Sequence, residues 1–213
     1  MYVPATPLPA APLVPVGIVS STPAAVTPVP TALKVRDYQL NVLANHSDTI
    51  TGTLLEHRRP GLSGRLVALQ ALGRHGWHTL ARTSTSTRGR FRLRYTPRRL
   101  GSEWLRLRFA GSGPELASHR RLGLLNVYRL ALASWYGGGG SMACGGWLTS
   151  STLGVANKTL PCGTLVTLHY DGRTVRVPVV DRGPYVEGRE FDLTEATKEA
   201  LGFSGVGEVW STS

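Results

Sequence analysis

The sequence predicts an all-β protein of two modules, a β-sandwich followed by a small closed β-barrel. Short runs of alternating apolar and polar residues recur through residues 34–211, with turn-forming residues between them. The composition changes at residue 129, where glycine becomes frequent, arginine becomes rare and both cysteines follow. A chain of 213 residues has room for two small domains, each with its own core.

Residues 1–33 form a proline-rich segment. It contains 8 of the 14 prolines and no charged side chain before Lys34. This composition is typical of an extended, disordered linker or stalk, and either a wall-spanning spacer or a tail without a role would fit it. Its prolines exclude a membrane span. It also lacks the basic start and the unbroken apolar run of a secretory signal, so the export route is left open.

Residues 34–128 are predicted to form the β-sandwich. In Arg90–Tyr95, and again in Leu105–Phe109, apolar residues alternate with polar ones that are mostly arginine, the pattern of half-buried antiparallel strands. Seven strands are predicted: Val35–Leu43, Thr49–Leu54, Arg65–Leu69, Trp77–Thr83, Arg90–Tyr95, Trp104–Phe109 and Leu122–Tyr128. Residues 64–112 loosely resemble bacterial immunoglobulin-like modules, which implies an Ig-like fold without a function.

The net positive charge of the chain comes entirely from its first part. Residues 1–128 hold 17 Lys and Arg against five Asp and Glu, whereas residues 129–213 hold seven against eight. A field of this sign favours a polyanion, and an anionic wall polymer is a possible partner of the basic module. The exposed arginines have two interpretations, a basic stripe for such a polymer or a solvated sheet face. The stripe would consist of Arg90, Arg92, Arg94, Arg106 and Arg108. No signature of a nucleic-acid reader is present, so no nucleic-acid partner is expected.

Residues 129–213 are predicted to form the barrel, since many short strands and one helix occur in a short module. The predicted helix is Glu195–Leu201, with Thr194 as N-cap and Gly202 as the residue that ends it. Asp171-Gly172 predicts a tight hairpin. The predicted strands are Leu130–Tyr136, Thr164–Tyr170, Thr174–Val180 and Gly207–Ser211, with short extended segments near Ala143–Trp147 and Gly154–Ala156.

Cys144 and Cys162 are the only cysteines. An even pair favours one disulfide and therefore an oxidising, extracytoplasmic location. Two buried thiols, or a catalytic cysteine with His169 as its base, are the alternatives.

Two carboxylates of the barrel are candidates for chemistry. Asp181 follows an apolar strand and opens Asp-Arg-Gly-Pro-Tyr, while Asp192 directly precedes the helix. Each also has a structural interpretation, Asp181 as the partner of a nearby arginine and Asp192 as a carboxylate facing the helix dipole.

The motifs around these carboxylates resemble those of the rare lipoprotein A (RlpA)-like double-psi β-barrel family. They are Ala-Ser-Trp-Tyr-Gly at 133–137, Val-Ala-Asn-Lys-Thr-Leu-Pro-Cys-Gly-Thr at 155–164, Val-Val-Asp-Arg-Gly-Pro-Tyr at 179–185, Arg-Glu-Phe-Asp-Leu-Thr at 189–194 and Ala-Leu-Gly-Phe at 200–203. The resemblance covers about two-fifths of the chain. It implies a double-psi barrel and a lytic transglycosylase, a lyase that cleaves the MurNAc-GlcNAc β-1,4 bond of peptidoglycan and leaves a 1,6-anhydro end.

The resemblance assigns the general acid/base to Asp181, because one carboxyl group that gives and then regains a proton is sufficient for this reaction. The family commonly has histidine where this chain has Asn157, and asparagine cannot carry a proton near neutral pH. Asp181 therefore works alone or with Asp192, with Asn157 as an orienting group, or catalysis is lost.

Aromatic and basic residues near these motifs are candidates for glycan contact. They are Trp135, Tyr136, Tyr185, Arg182 and Lys158, while Trp147 and Trp210 offer further aromatic faces.

The sequence thus predicts a secreted cell-wall protein that acts on peptidoglycan strands. No metal and no organic cofactor are implied, and no membrane span is expected. The alternatives are a non-catalytic, expansin-like module that binds glycan and loosens the wall, and a structural or adhesion protein whose barrel is only a scaffold.

Overall fold

A computed structural model describes residues 27–56 and 61–213 of the chain. These residues form an all-β structure with one short helix, so the predicted all-β class is confirmed, while the Ig-like resemblance of the first module stays a prediction. The predicted linker lies outside the described residues as far as residue 26, and the first strand already begins at Thr31. No helix in the described residues is long and apolar enough to cross a bilayer.

The first eight strands build two sheets. They are β1 (Thr31–Asp37), β2 (Asn41–Leu43), β3 (Asp48–Glu56), β4 (Leu66–Gly73), β5 (Gly76–Ser84), β6 (Arg90–Tyr95), β7 (Gly101–Phe109) and β8 (Ser118–Tyr136). One sheet has the order β1-β3-β6, and the other has β5-β4-β7-β8 with β2 added in parallel to β8. The predicted strand Val35–Leu43 is wrong as a single element, because residues 38–40 separate β1 from β2.

The apolar faces of the two sheets pack on each other. Ile50, Leu54 and Leu93 from one sheet share a cluster with Leu69 and Leu107 from the other, and all five are fully buried. The arginines of β6 and those of β7 therefore point outward from different sheets. The predicted five-arginine stripe is not one surface, because β6 pairs with β3 and not with β7.

The remaining elements form the second module. They are β9 (Gly140–Ser141), β10 (Trp147–Leu148), β11 (Val155–Ala156), β12 (Leu165–Tyr170), β13 (Arg173–Asp181), β14 (Phe191–Thr194), α1 (Glu195–Leu201) and β15 (Gly207–Ser211). The strands pair in the order β8-β14-β11-β13-β12-β15, and β15 pairs with β8 again. This ring of six strands closes the sheet into a barrel around a second buried cluster that includes Val166, Leu168, Phe191 and Leu193.

Strand β8 belongs to both modules. Its first part pairs with β7 up to Val127, and its second part pairs with β15 from Arg129 onward. The sequence pattern predicts two separate strands here, but the structure has one continuous strand through the predicted boundary at residue 129. The two hydrophobic clusters nevertheless divide there, with Val127 in the first and Ala131 in the second.

The helix α1 begins after Thr194 and ends at Gly202. Gly202 takes the left-handed conformation (φ 67°), and its N–H bonds to the last carbonyl groups of the helix, as predicted. Thr194 is the N-cap residue, as predicted, but its side chain makes no capping hydrogen bond. Its hydroxyl instead contacts the backbone of Gly154 and the hydroxyl of Thr197, which ties the helix to the start of β11.

Candidate active site

The two candidate carboxylates lie in one row across four strands of the barrel. Asp181 at the end of β13 is opposite Ala156 of β11, Ala156 is opposite Asp192 of β14, and Asp192 is opposite Ser134 of β8. Adjacent strands are about 5 Å apart, so the α-carbons of the two aspartates are separated by about 10 Å. The residue between them, Ala156, is buried.

Asp181 is held by the backbone through only one of its two oxygens. Its Oδ1 accepts hydrogen bonds from the N–H groups of Ala143 and Arg182, both at 2.8 Å. Within the described residues no donor reaches Oδ2 in hydrogen-bond geometry. The half-buried carboxyl group therefore has a fixed orientation, and within the described residues its Oδ2 accepts no backbone hydrogen bond.

The disulfide lies beside this carboxyl group. Cys144 and Cys162 are bonded to each other, so the predicted disulfide is present and the alternatives with free or catalytic thiols are excluded. Cys144 follows Ala143, the residue that donates to Asp181, and its own N–H bonds to the carbonyl of Val180 at 3.2 Å. The disulfide thus fixes the loop that supplies one of the two donors to Asp181.

Asp192 has a different environment. The hydroxyl of Ser134 donates a short hydrogen bond to its Oδ1, and Arg189 donates to that hydroxyl at 3.4 Å. Its carboxyl group therefore belongs to a polar chain that links β14 with β8.

Tyr136 places a hydroxyl near both carboxylates. It lies two residues beyond Ser134 on β8, so both side chains leave the same face of the strand. The phenolic oxygen is fully buried, and within the described residues no acceptor lies in full hydrogen-bond geometry to it. Burial raises the pKa of Tyr136 above its ordinary value, and the nearby Asp181 carboxyl group raises it further through its negative charge and as a hydrogen-bond acceptor, followed by the negative charge of Asp192. The hydroxyl therefore stays protonated and remains available as a donor.

Asn157 is buried, and its side chain is hydrogen-bonded to the backbone around it. Its side-chain oxygen accepts the N–H groups of Thr159 at 3.0 Å and Leu160 at 2.8 Å, and its side-chain nitrogen donates to the carbonyl of Glu190 at 3.1 Å. Its backbone N–H bonds to the carbonyl of Asp181 at 3.1 Å. Within the described residues the side chain makes no hydrogen bond to either carboxyl group and holds the loop after β11, so an orienting role toward Asp181 stays a prediction.

Arg182 also serves this loop. Its guanidinium donates to the carbonyls of Asn157 at 3.0 Å and Leu160 at 2.9 Å, and to the sulfur of Cys162 at 3.1 Å. All three contacts lie within the protein, and glycan contact by Arg182 stays a prediction. Lys158, in the same loop, is exposed.

The predicted aromatic contacts separate into different places. Tyr185 follows Asp181 by four residues and is 81% exposed, which suits a surface that stacks on a sugar ring. Trp135 leaves the opposite face of β8 from Tyr136, and the ammonium group of Lys198 lies 4.0 Å from its ring. Trp147 is exposed on β10, while Trp210 packs against Tyr128 and His169 at the junction of the modules.

Three features of the site were not anticipated from the sequence. They are the backbone N–H of Ala143, the Ser134 hydroxyl and the unpartnered Tyr136 hydroxyl, since Tyr136 was considered only for its ring. The spacing of Ser134 and Tyr136 by two residues on one strand was the available signal, but the register that sets them beside Asp192 is not visible in the sequence.

Comparison with known proteins identifies the class of this barrel. Residues 130–210 match the double-psi β-barrel family model described as lytic transglycolase. The C-terminal module is therefore a double-psi β-barrel of the RlpA-like type, in agreement with the resemblance of its motifs.

The curated relatives share this module only. The chain is 44% identical over 80 residues to a probable endolytic peptidoglycan transglycosylase RlpA of Aquifex aeolicus, which covers 35% of each chain. It is 41% identical over 85 residues to a protein of the same description from Synechocystis, covering 37% of this chain and 26% of the relative. The chain thus spans about a third of the length of the curated relatives it matches. Among solved structures, the Streptomyces papain inhibitor is 29% identical, with a TM-score of 0.33, and aligns with 39% of this chain and 91% of its own.

Proposed function

We propose that the protein is a lytic transglycosylase of peptidoglycan and that Asp181 is its general acid/base. The observation that carries the proposal is the asymmetric binding of the Asp181 carboxyl group. Two backbone donors occupy Oδ1, so a proton on this group resides on Oδ2, the oxygen without a backbone donor. Relatives of the barrel at 41–44% identity are described as probable endolytic peptidoglycan transglycosylases, which supports the same substrate class.

The reaction requires one proton to leave and return. Asp181 Oδ2–H protonates the oxygen of the β-1,4 bond as the bond from the muramyl C1 to that oxygen breaks. The O6 hydroxyl of the same sugar then attacks C1 and gives its proton to Oδ2, which closes the 1,6-anhydro ring and restores the acid. No water is consumed, so a second carboxylate that activates water is not needed.

Tyr136 and Asp192 support this cycle. When Asp181 has lost its proton, the buried Tyr136 hydroxyl is the nearby neutral donor that stabilises the carboxylate. Asp192, held by Ser134, adds negative charge close to the positive charge that develops on the sugar. Tyr185 offers an exposed ring for stacking on the glycan.

The proposed location is extracytoplasmic, at the cell wall. The disulfide fits an oxidising compartment, and peptidoglycan is found there. The basic first module would then meet anionic wall polymer, the second proposed partner.

A non-catalytic, wall-loosening module that binds glycan is the second candidate. The observation that favours it is Asn157, whose side-chain groups are all engaged with the loop, so that no second proton carrier stands beside Asp181 at that position. In this case the surface around Asp181, Asp192 and Tyr185 binds strands without cleaving them.

Digestion of purified peptidoglycan, intact and stripped of stem peptides, separates the two candidates. The wild-type protein is expected to release anhydro-muropeptides or anhydro-glycans, detected by mass spectrometry. Asp181→Asn, which keeps the acceptor for both backbone donors, is expected to release none while it still sediments with the glycan. Absence of product from both proteins, with binding retained, would establish the binding module instead.

A further inference from the structure

The outer face of the sheet β5-β4-β7-β8 carries an ordered set of side chains that the barrel site does not use. Cross-strand register places them in three adjacent rows. The first row is Arg82, Ala68, Arg108 and His119, the second is Thr79, Gln70, Arg106 and Arg121, and the third is Trp77, Leu72, Trp104 and Leu124. None of these twelve positions holds a carboxylate.

Arg106 is held in place at the centre of this face. Its Nε donates to the side-chain oxygen of Gln70 at 2.9 Å, and its guanidinium lies 4.0 Å from the centre of the Trp77 ring. Gln70 is only 8% exposed, so a buried amide fixes the orientation of the guanidinium. Arg106 is therefore already ordered before a ligand binds. Binding of a ligand to its remaining N–H groups then costs little side-chain entropy.

A depression lies beside Arg106, in the first row. Ala68 forms its floor, since its methyl group is shorter than the arginines on both neighbouring strands. The depression has a volume of about 530 Å³, and both Arg82 and Arg108 line it. Neither forms an ion pair with another described residue, whereas Arg65 at its edge is paired with Glu115 at 2.6 Å.

We propose that this face binds an acidic glycan, with the arginines of the first two rows contacting its anionic groups and the third row contacting its sugar rings. Guanidinium groups favour planar anionic groups such as carboxylates, which they bind through two hydrogen bonds. Trp104 is 54% exposed and Leu72 is 38% exposed, so an apolar strip runs directly along the basic rows. A sugar polymer that carries charge on its rings presents both surfaces in each repeat, whereas polyphosphate presents only the charge.

The proposal rests on the proposed function only for its setting at the wall, because the site belongs to a different module from Asp181. The test therefore uses a polymer that a peptidoglycan lyase does not cleave. Binding of the full chain to polygalacturonate is measured by affinity electrophoresis at about 50 and 200 mM salt. Dextran is the neutral control polymer, and polyphosphate and DNA are the anionic polymers without charged sugar rings.

Two double variants remove the same charge from different sheets. Arg82→Ser/Arg108→Ser alters the proposed face, while Arg92→Ser/Arg94→Ser alters exposed arginines of β6 on the other sheet. We expect the first to weaken binding to polygalacturonate at least about tenfold and the second to change it less than about twofold. Trp104→Ala is expected to weaken binding to polygalacturonate but not to polyphosphate. Release of anhydro products from small soluble glycan fragments is expected to be unchanged in Arg82→Ser/Arg108→Ser.

Equal losses in the two double variants would overturn the proposal, because they would reflect net charge and no defined face. It would also be overturned if the wild-type chain did not bind polygalacturonate at the lower salt concentration. Equal binding of polyphosphate or DNA, with no effect of Trp104→Ala, would assign the face to a polyphosphate or nucleic acid instead. Thermal unfolding of each variant identifies any loss that comes from misfolding.

Discussion

At the residue scale, removing the Tyr136 hydroxyl distinguishes a role of this residue in catalysis from a role in packing. It is buried with no acceptor in full hydrogen-bond geometry, and burial together with the nearby Asp181 and Asp192 raises its pKa, so it stays protonated. Tyr136→Phe keeps the ring and removes only this donor. We expect kcat to fall roughly 10²-fold with KM nearly unchanged, the effect of losing one transition-state donor.

The stability of Tyr136→Phe should be equal to that of the wild type or higher, since an unpaired buried hydroxyl costs free energy. Tyr170→Phe is the matched control, because Tyr170 packs edge-on against Phe203 elsewhere in the barrel. A variant that kept full kcat but unfolded at lower temperature would show that Tyr136 has only a structural role.

Asn157 gives the opposite expectation, a loss of stability that precedes any loss of chemistry. Asn157→Ala removes the acceptor for the N–H groups of Thr159 and Leu160 and the donor to Glu190. Leaving these backbone groups without partners should lower the free energy of unfolding by about 1–3 kcal/mol, measured by urea denaturation. Lys158→Ala, at the exposed neighbouring position, should change it by less than about 0.5 kcal/mol. Similar values for both variants would contradict the role assigned to the Asn157 amide.

At the scale of elements, the disulfide joins the two loops on either side of Asp181. The Cys144–Cys162 bond closes a loop of 18 residues, and such a loop contributes about 3 kcal/mol in the chain-entropy model. Cys144→Ser/Cys162→Ser should therefore unfold at a lower temperature. It should also lose activity where it is still folded, because the N–H of Ala143 is no longer fixed against Asp181.

The control for this double variant is to measure its activity at a temperature where it is fully folded. Release of anhydro product is measured well below the unfolding midpoint of the variant, where circular dichroism shows the same spectrum as the wild type. Full activity under these conditions would mean that the disulfide stabilises the barrel without placing the Ala143 donor.

Sequence patterns predicted the elements whose signal is local. Arg90–Tyr95 matches β6 residue for residue, because strict alternation reports which side of one strand is buried. Glu195–Leu201 matches α1, whose end is marked by a glycine in the left-handed conformation. The Asp171-Gly172 turn joins β12 to β13 as predicted.

The missed elements depend on partners distant in sequence. Strand β14 has only four residues, and it is defined by its pairing with β8 and β11. The continuity of β8 through Arg129 is likewise set by β7 on one side and β15 on the other. The same limit applies to the site: the motifs identified Asp181 and Asp192, whereas the row that aligns them through Ala156 is a property of strand register.

At the scale of the whole molecule, the two modules share more than a strand. Tyr128 is fully buried at their junction, where its ring stacks on His169 and contacts Trp210. Its hydroxyl donates to the side-chain oxygen of Asn41 at 2.8 Å, and the side-chain nitrogen of Asn126 donates to that Asn41 oxygen at 2.9 Å. Because aromatic contacts to the barrel and hydrogen bonds to the sandwich meet at one residue, we infer that the modules move and unfold together.

Buried tyrosines on both sides of this junction make the stability of the whole chain depend on alkaline pH. Burial raises the pKa of Tyr128 to about 12, and burial is also the main cause of the raised pKa of Tyr95 and Tyr136. In the unfolded chain these groups ionise near pH 10. The stabilisation is therefore fully present below about pH 10 and is lost as the pH rises toward the folded-state values, because the unfolded state releases protons that the folded state retains. Urea unfolding between about pH 8 and 11 should show a midpoint that is constant at first and then falls, with a single transition for both modules. Tyr128→Phe should make the urea midpoint fall less steeply with pH. Absorbance at 295 nm follows tyrosine ionisation in the folded protein, and ionisation of all seven tyrosines near pH 10 would contradict the prediction.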